Sequence, residues 1–556
     1  MAEVSVTRSE VSGGVSRMSW TPLANGDTGK PVYVGNLIDK TVTITGTFGA
    51  GGTILIEGSS DGGTTWVTMP NKNGATMSYT AAAIDLTDRS PTLIRPRVSA
   101  GDGTTALTVV ATGNAQIVQS TQKLQPATGG PLFAIFGDSI TEFCSVRRLP
   151  PQASPISFWR NDGYACWMRI LMDQRIRLPM GNNFGVSGDT LEQMLARIQS
   201  VISSQAQYVV VEGGTNNITA AATFTSMKAT WTTIIDRLVG AGITPIVTPI
   251  CPRGDALTAT QIRTQMRFNK FVEEYALAHK EVIYVNWNKY LQDMTSAIGA
   301  PISGRMRSDN IHPAIPGGFY MGLALAEVLN TIIPVSPTSM NQGVTDYFHV
   351  TDNPAGNLLY TGTTSQGGLL GTGGTQTASA GLTYSGNLAA GWTAIRGTAT
   401  STCTETLTKE NPRTDQSSGE RQIVQIATAA DGGADEIYNI RYTPALADVQ
   451  AGDVFYAECK IEVTATGAAQ VRALELNLFE NRPTNAQSSV DNGSNDNASG
   501  FLPPVTWSGT FRTEPITRQS DTTSLQINVR ARINATGAGA ITFKIGDMAV
   551  RKVVDQ

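Results

Sequence analysis

Three residue types scattered through the middle of the chain could together do acyl-transfer chemistry. Ser139 sits in "LFAIFGDSITEF", where a run of strand-forming residues stops abruptly at Gly-Asp-Ser. Histidine is scarce: the 556 residues hold 3, namely His279, His312 and His349. His279 falls in a helical stretch, "FVEEYALAHKE", and His349 near a Gly/Ser/Thr-rich segment, which leaves His312 in "SDNIHPAIPGG" as the leading partner for a serine. A serine hydroxyl is a weak nucleophile until an imidazole accepts its proton, and the other imidazole nitrogen must be held by an acceptor. Asp309, three residues before His312 in a turn, can fill that place. A tetrahedral intermediate also needs hydrogen-bond donors for its oxyanion, each worth roughly 3–4 kcal/mol. "NFGVSGDT" puts Gly188 before a helix, and "VVEGGTNN" puts Asn216 just past a buried strand. The Ser139 N–H is the third candidate donor. Each residue also has a plainer reading: a helix N-cap for Ser139, a capping turn for Asp309 and His312, a turn glycine for Gly188, an Asx-turn for Asn216. Asp138 reads as a brace of its loop rather than as the triad acid. Trp159 is a candidate for lining a substrate cleft or for packing, and Asn217 is a candidate substrate contact.

Elements of a particular kind must hold these residues. From 131 to about 335, short apolar runs at 132–136, 207–212, 243–249 and 282–286 alternate with helical periodicity, as in Leu191, Met194, Leu195, Ile198, Val201 and Ile202. That alternation predicts a parallel sheet covered on both faces, with functional groups collected where strands end. Residues 1–117 alternate with period two around Gly-rich turns and read as a β-domain, followed by a polar linker over 118–130. Residues 336–390 are rich in Gly, Ser and Thr and read as a connector. From 391 to 556 alternating strands return, predicting a sandwich or jelly roll. Trp392, Phe501 and Trp507 there are candidates for stacking on sugar rings, or for a sandwich interior.

Composition narrows the function classes. Net charge is -4, charged residues are 15%, and Lys and Arg are scattered, which disfavours a nucleic-acid partner. The 5 cysteines form no CxxC pair, so neither a disulfide framework nor a zinc site is indicated. The start, "MAEVSVTRSEVSGG", lacks the apolar core of a signal peptide, and no apolar run approaches the roughly 20 residues that span a bilayer. A soluble protein made without Sec-type export is expected.

Four blocks in order, "FGDSI", "NFGVSGDT", "GGTNN" and "DNIHP", resemble the SGNH hydrolases, also called GDSL esterases. The resemblance implies a three-layer α/β/α domain without metal or organic cofactor. Ser139 would be the nucleophile, Gly188 and Asn216 would complete the oxyanion hole, His312 would be the base and Asp309 its orienting acid. Two positions depart from the family pattern: Ile140 replaces Leu beside the nucleophile, and Asn217 replaces Asp after the oxyanion asparagine. The N-terminal domain resembles small β-domains of tailed-phage virion proteins, on "VTITGTFGAGGTILIEGSSDGGTTWVTM". The last segment, from "GWTAIRGTAT", resembles carbohydrate-binding jelly rolls appended to phage-borne hydrolases. These resemblances imply a virion-surface protein of tail-spike, fibre or capsid-decoration type, attached to other virion proteins by its N-terminal domain and often trimeric. Its expected activity is removal of O-acetyl groups from a bacterial surface polysaccharide. The alternatives are a glycan-binding decoration with little catalysis, and a lipase or thioesterase.

Overall fold

The computed structural model describes the chain apart from residues 1, 12–14, 35–36, 88, 90, 116–129, 149–155, 335–345, 361–367, 379–383, 398–403, 416–418, 429–434, 445, 447–448, 484–485, 494–498 and 554–556. The expected linker at 118–130 therefore lies almost wholly outside the described residues, as does Cys403.

The middle of the chain forms a five-stranded, fully parallel sheet in the order Asn183–Gly185, Phe133–Gly137, Tyr208–Val211, Thr244–Val247, Ile283–Tyr284. Side chains alternate across a strand, so each strand feeds two cores. Phe133, Ile135, Val210 and Ile246 point to one face, under the helices Tyr164–Leu171 and Ile315–Leu329. Ala134, Phe136, Val209, Val211 and Val247 point to the other, under Leu191–Ala196, Ile198–Ser203, Phe224–Gly240 and Ala259–Ala278. The result is a three-layer α/β/α domain flanked by β-structure. The strand Asn183–Gly185 was not foreseen: its "NFG" lacks an apolar run, and it forms because it lies along the edge of the nucleophile strand. Gly185 is required there, since a Cβ would lie 2.0 Å from the Glu142 backbone nitrogen.

Residues 2–115 form two sheets of seven and five strands around Trp20, Leu23, Ile44, Ile54 and Leu107. This domain leans on the helix Phe224–Gly240 through the Lys30–Asp236 ion pair at 3.2 Å. Two long antiparallel strands, Val454–Asn481 and Ser524–Lys552, organise the C-terminal part, and bulges near Glu458, Gly467 and Val471 bend them. They belong to a 13-stranded sheet that also takes in the hairpin Ser145–Arg148 and Ile156–Arg160 from within the central segment.

That hairpin ties the central and C-terminal parts together. Trp167 packs edge-on against Phe319 (5.1 Å) and Trp507 (5.2 Å). Arg169 pairs with the fully buried Asp491 at 3.0 Å, and Gln174 Nε2 donates to the Thr510 carbonyl at 2.8 Å. The described stretches of 336–390 are also packed: Leu358, Leu359 and Leu369 are buried in the same core, and Tyr360 is 1% exposed. Asn357 donates to the Met548 carbonyl and accepts from Val550 N–H. A short apolar "NLLY" anchors a segment whose overall composition suggested a loose connector. Among the described residues, no helix is long and apolar enough to cross a membrane.

Candidate active site

Three neighbouring strands deliver the functional loops to one edge of the sheet. The central one, Phe133–Gly137, ends at Asp138, whose side chain accepts from Ile140 N–H at 3.0 Å and caps the short helix Ser139–Glu142. The cap fixes Ser139 at the first helical position, where its N–H has no intrahelical acceptor and is available to a ligand. On one side the strand Asn183–Gly185 leads to Gly188, with φ of +85°. The left-handed backbone, rather than crowding, requires glycine: a Cβ there would meet nothing within 4 Å. The Gly188 N–H makes no hydrogen bond among the described residues. On the other side Tyr208–Val211 leads to Asn216, whose Nδ2 donates to the Asp189 carbonyl at 2.9 Å and stands 3.5 Å from Asp138 Oδ2. The first contact fixes the amide plane, and the second is long enough to yield to a better acceptor.

His312 comes from a tight loop. Arg307 N–H donates to the His312 carbonyl at 2.8 Å, Ala314 N–H to Arg305 at 2.9 Å, and Asn310 turns the chain at φ of +58°. His312 Nε2 lies 2.8 Å from Ser139 Oγ, and its Nδ1 lies 2.8 Å from Asp309 Oδ2. The other Asp309 oxygen accepts the N–H groups of Ile311 and His312, both at 2.9 Å. Partial burial pushes the Asp309 carboxyl up, but hydrogen bonds from His312 N–H, Ile311 N–H and the imidazole outweigh it and hold it below the usual carboxylate range. Asp309 therefore stays an anion facing Nδ1–H, which leaves Nε2 as the acceptor toward the serine. The Phe143 ring packs against the imidazole with centroids 5.2 Å apart. The Arg307 guanidinium, bonded to Asp162, the Pro313 carbonyl and stacked over Phe143, clamps the loop.

Ser139, His312, Asp309, Gly188 and Asn216 thus converge. Trp159 and Asn217 do not join them. Trp159 is fully buried at the junction with the C-terminal part, its Nε1 donating to Glu514 at 2.9 Å and the Arg169 guanidinium lying over its ring. The surrounding hairpin pairs with a sheet instead of lining a cleft. Asn217, also buried, accepts from Leu191 N–H at 2.8 Å and donates to Glu192 at 2.9 Å, bracing two helices. Trp392 and Trp507 are buried in the core as well.

Two supporting residues escaped the sequence reading. Arg197 ends one short helix and begins the next, and the break lets its side chain reach back to the site. It donates to the carbonyls of Gly137 (2.8 Å) and Phe184 (2.7 Å) and pairs with Asp189 at 2.6 Å, locking the nucleophile strand to the Gly188 loop. Glu212 is 1% exposed and lies directly behind Asp138, itself 0% exposed. Glu212 Oε2 accepts from Thr141 Oγ1 at 3.1 Å. Burial raises both carboxyls, and the Asp138 charge raises Glu212 further, well above the usual range. Asp138 N–H donates to Glu212 Oε2 at 3.4 Å, and Glu212 is the member of the pair that is pushed toward its neutral form. The signal was a lone carboxylate ending the apolar run "VVVE". Glu212→Gln keeps a neutral donor and is expected to keep activity within about threefold. Glu212→Ala leaves Asp138 buried without that partner and is expected to lower stability by about 3 kcal/mol. Thermal unfolding of the two variants side by side measures the difference.

Residues 135–317 match the model of the GDSL-like Lipase/Acylhydrolase family. No curated protein is similar enough to the chain to count as a match. Among solved structures, a lipolytic protein of the G-D-S-L family from Desulfitobacterium hafniense shares 18% identity, with 36% of this chain and 99% of that one covered at a TM-score of 0.29. An acetylxylan esterase from Geobacillus stearothermophilus shares 17% identity, covering 37% of this chain and 96% of its own at 0.28. A G-D-S-L family protein from Veillonella parvula shares 17%, covering 36% and 98% at 0.28.

Proposed function

We propose that this chain, whose residues 135–317 are a GDSL-like lipase/acylhydrolase domain, hydrolyses esters by attack of Ser139. The carrying observation is the relay of two 2.8 Å contacts, Ser139 Oγ to His312 Nε2 and His312 Nδ1 to Asp309. Ser139 Oγ adds to the ester carbonyl while its proton passes to Nε2, and Asp309 stabilises the imidazolium. The oxyanion is met by the N–H groups of Ser139 and Gly188 and by Asn216 Nδ2. Collapse expels the alcohol, which takes the proton from Nε2. Water then attacks the acyl-enzyme through the same base and leaves as the carboxylic acid, restoring Ser139.

The substrate we infer is an O-acetyl group on a bacterial surface polysaccharide, with the protein carried on a virion through its N-terminal domain, as a homotrimer. The supports are the resemblance of the flanking β-domains, the low-charge composition rich in Gly, Ser and Thr, and a triad whose acid and base reach the surface, with the Asp309 side chain 43% and the His312 side chain 21% exposed. A triad approached from an exposed loop suits a polymer that cannot enter a deep pocket. Hydrolysis of 4-nitrophenyl acetate should be abolished by Ser139→Ala; equal rates in both proteins contradict the proposal. Acetate release from host polysaccharide should exceed release of longer acyl groups. Immunolabelling of particles and mass photometry test the location and the trimer.

A further inference from the structure

The aromatic side chains that the sequence offered for sugar binding are largely buried, and a different face of the C-terminal sheet is open. A groove of about 200 Å³ is lined by Asn439, Arg441, Asn477, Phe479, Gln526, Asn528 and Arg530. They come from three adjacent strands, Asp435–Tyr442, Ser524–Lys552 and Val454–Asn481, in register: Arg441 opposite Asn528 opposite Asn477, Asn439 opposite Arg530, and Gln526 opposite Phe479. Every lining side chain but Phe479 carries a planar amide or guanidinium.

Its charge balance is specific. Arg530 Nε is bonded to Glu475 at 2.7 Å, which neutralises it. Arg441 donates only its Nε, to Asn528 Oδ1 at 2.9 Å, and faces no carboxylate among the described residues. Asn439 Nδ2 donates to the same oxygen at 3.0 Å, so Asn528 aligns both neighbours. Ser488 Oγ donates to Asn477 Oδ1 at 2.8 Å, leaving the Asn477 amide N–H groups directed elsewhere. The groove therefore presents one uncompensated guanidinium fork, several amides of fixed orientation, and one half-buried ring. A fork pairs a planar carboxylate through two parallel hydrogen bonds. Amides suit hydroxyls, which both donate and accept. A phenyl ring suits an apolar ring face.

We propose that this groove binds one uronic acid unit of an acidic polysaccharide, with its carboxylate on Arg441, its hydroxyls on Asn477 and Gln526, and its ring against Phe479. The same sheet runs on through Gln487–Gly493 into the hairpin strand Ile156–Arg160, so the groove is held on a rigid frame shared with the esterase domain. The site makes no use of Ser139, and its failure would leave the esterase reading untouched.

Full-length Ser139→Ala protein removes hydrolysis from the measurement. Calorimetric titration with oligomers of galacturonate, mannuronate and glucuronate-containing hyaluronan should show at least one binding tenfold or more tighter than fully methyl-esterified oligogalacturonate. Binding should weaken as salt rises. Arg441→Ala should lower that affinity at least tenfold and Arg441→Lys less, with Gln526→Ala as a second, milder loss. Lys270→Ala, on the helix Ala259–Ala278, should change nothing. Unchanged melting temperatures show that the variants are folded. Failure of all three oligomers to bind, equal binding of the methyl ester, or full affinity in Arg441→Ala would each overturn the proposal.

Discussion

Replacing His312 by alanine is expected to lower kcat on a simple acetate ester by about 10⁴-fold or more, with KM little changed. The size follows from the lack of a substitute. His279 is held by the Tyr275 carbonyl at 2.7 Å, and His349 lies beside Asp352 at 3.1 Å, so neither reaches Ser139. Without Nε2, the serine proton has no acceptor in place and the leaving alcohol has no donor. Asp309→Asn is expected to cost less, about 10²-fold, because the aspartate is half-exposed and water can partly replace it. Its pH dependence has a definite sign. The Asp309 carboxyl is held below its ordinary value of 3.8, so its contribution is present above that value and fades as pH falls through the lowered one. A His312→Ala protein retaining a tenth of wild-type kcat would remove His312 from the mechanism.

The second large effect is on stability. Glu405 is 3% exposed inside the C-terminal sandwich, among Val424, Tyr438, Leu474, Val529 and Phe543. Its Oε2 has no hydrogen-bond partner among the described residues. Burial pushes its carboxyl from the ordinary 4.5 up to about 8, against the pull of the Arg396 charge. That cation is already paired with Glu436 at 2.6 Å. A carboxyl raised in the folded state holds its proton more tightly there than in the unfolded chain. Its effect on stability is therefore neutral at low pH and grows adverse from 4.5 until about 8. At about 1.4 kcal/mol per unit, the cost at pH 7 is on the order of 3 kcal/mol. Glu405→Gln removes the ionisable group while keeping its shape. The variant should melt close to wild type at pH 4.5 and clearly higher at pH 8. Parallel melting curves across that range would show that Glu405 carries no such strain.

What could be read from the residues follows from the range over which each signal acts. The strand that presents Ser139 was legible because "LFAIF" is continuously apolar, and burial on both faces demands that. The helix over 191–202 was legible by period, but its break at Arg197 was not, because the break is set by carbonyls of two strands that sequence cannot place side by side. Glu212 was passed over for the same reason: a carboxylate ending a strand looks exposed until Asp138 and Thr141 are seen to close over it. Trp159 misled because an insertion rich in Pro and Ser reads as a loop at a cleft, whereas Ile156–Arg160 lies one strand in from the edge of a sheet built mostly from residues some 300 positions later. The Asp309 and His312 loop was the reverse case. Its spacing is local, so three residues of sequence were enough to foresee the contact.

The most direct test is covalent. A fluorophosphonate should add once per chain, and peptide mass spectrometry should place it on Ser139. His312→Ala should slow the labelling steeply and Ser139→Ala should abolish it. Labelling at another residue, or an equal rate in the His312→Ala protein, would contradict the assignment of Ser139 as a nucleophile activated by His312.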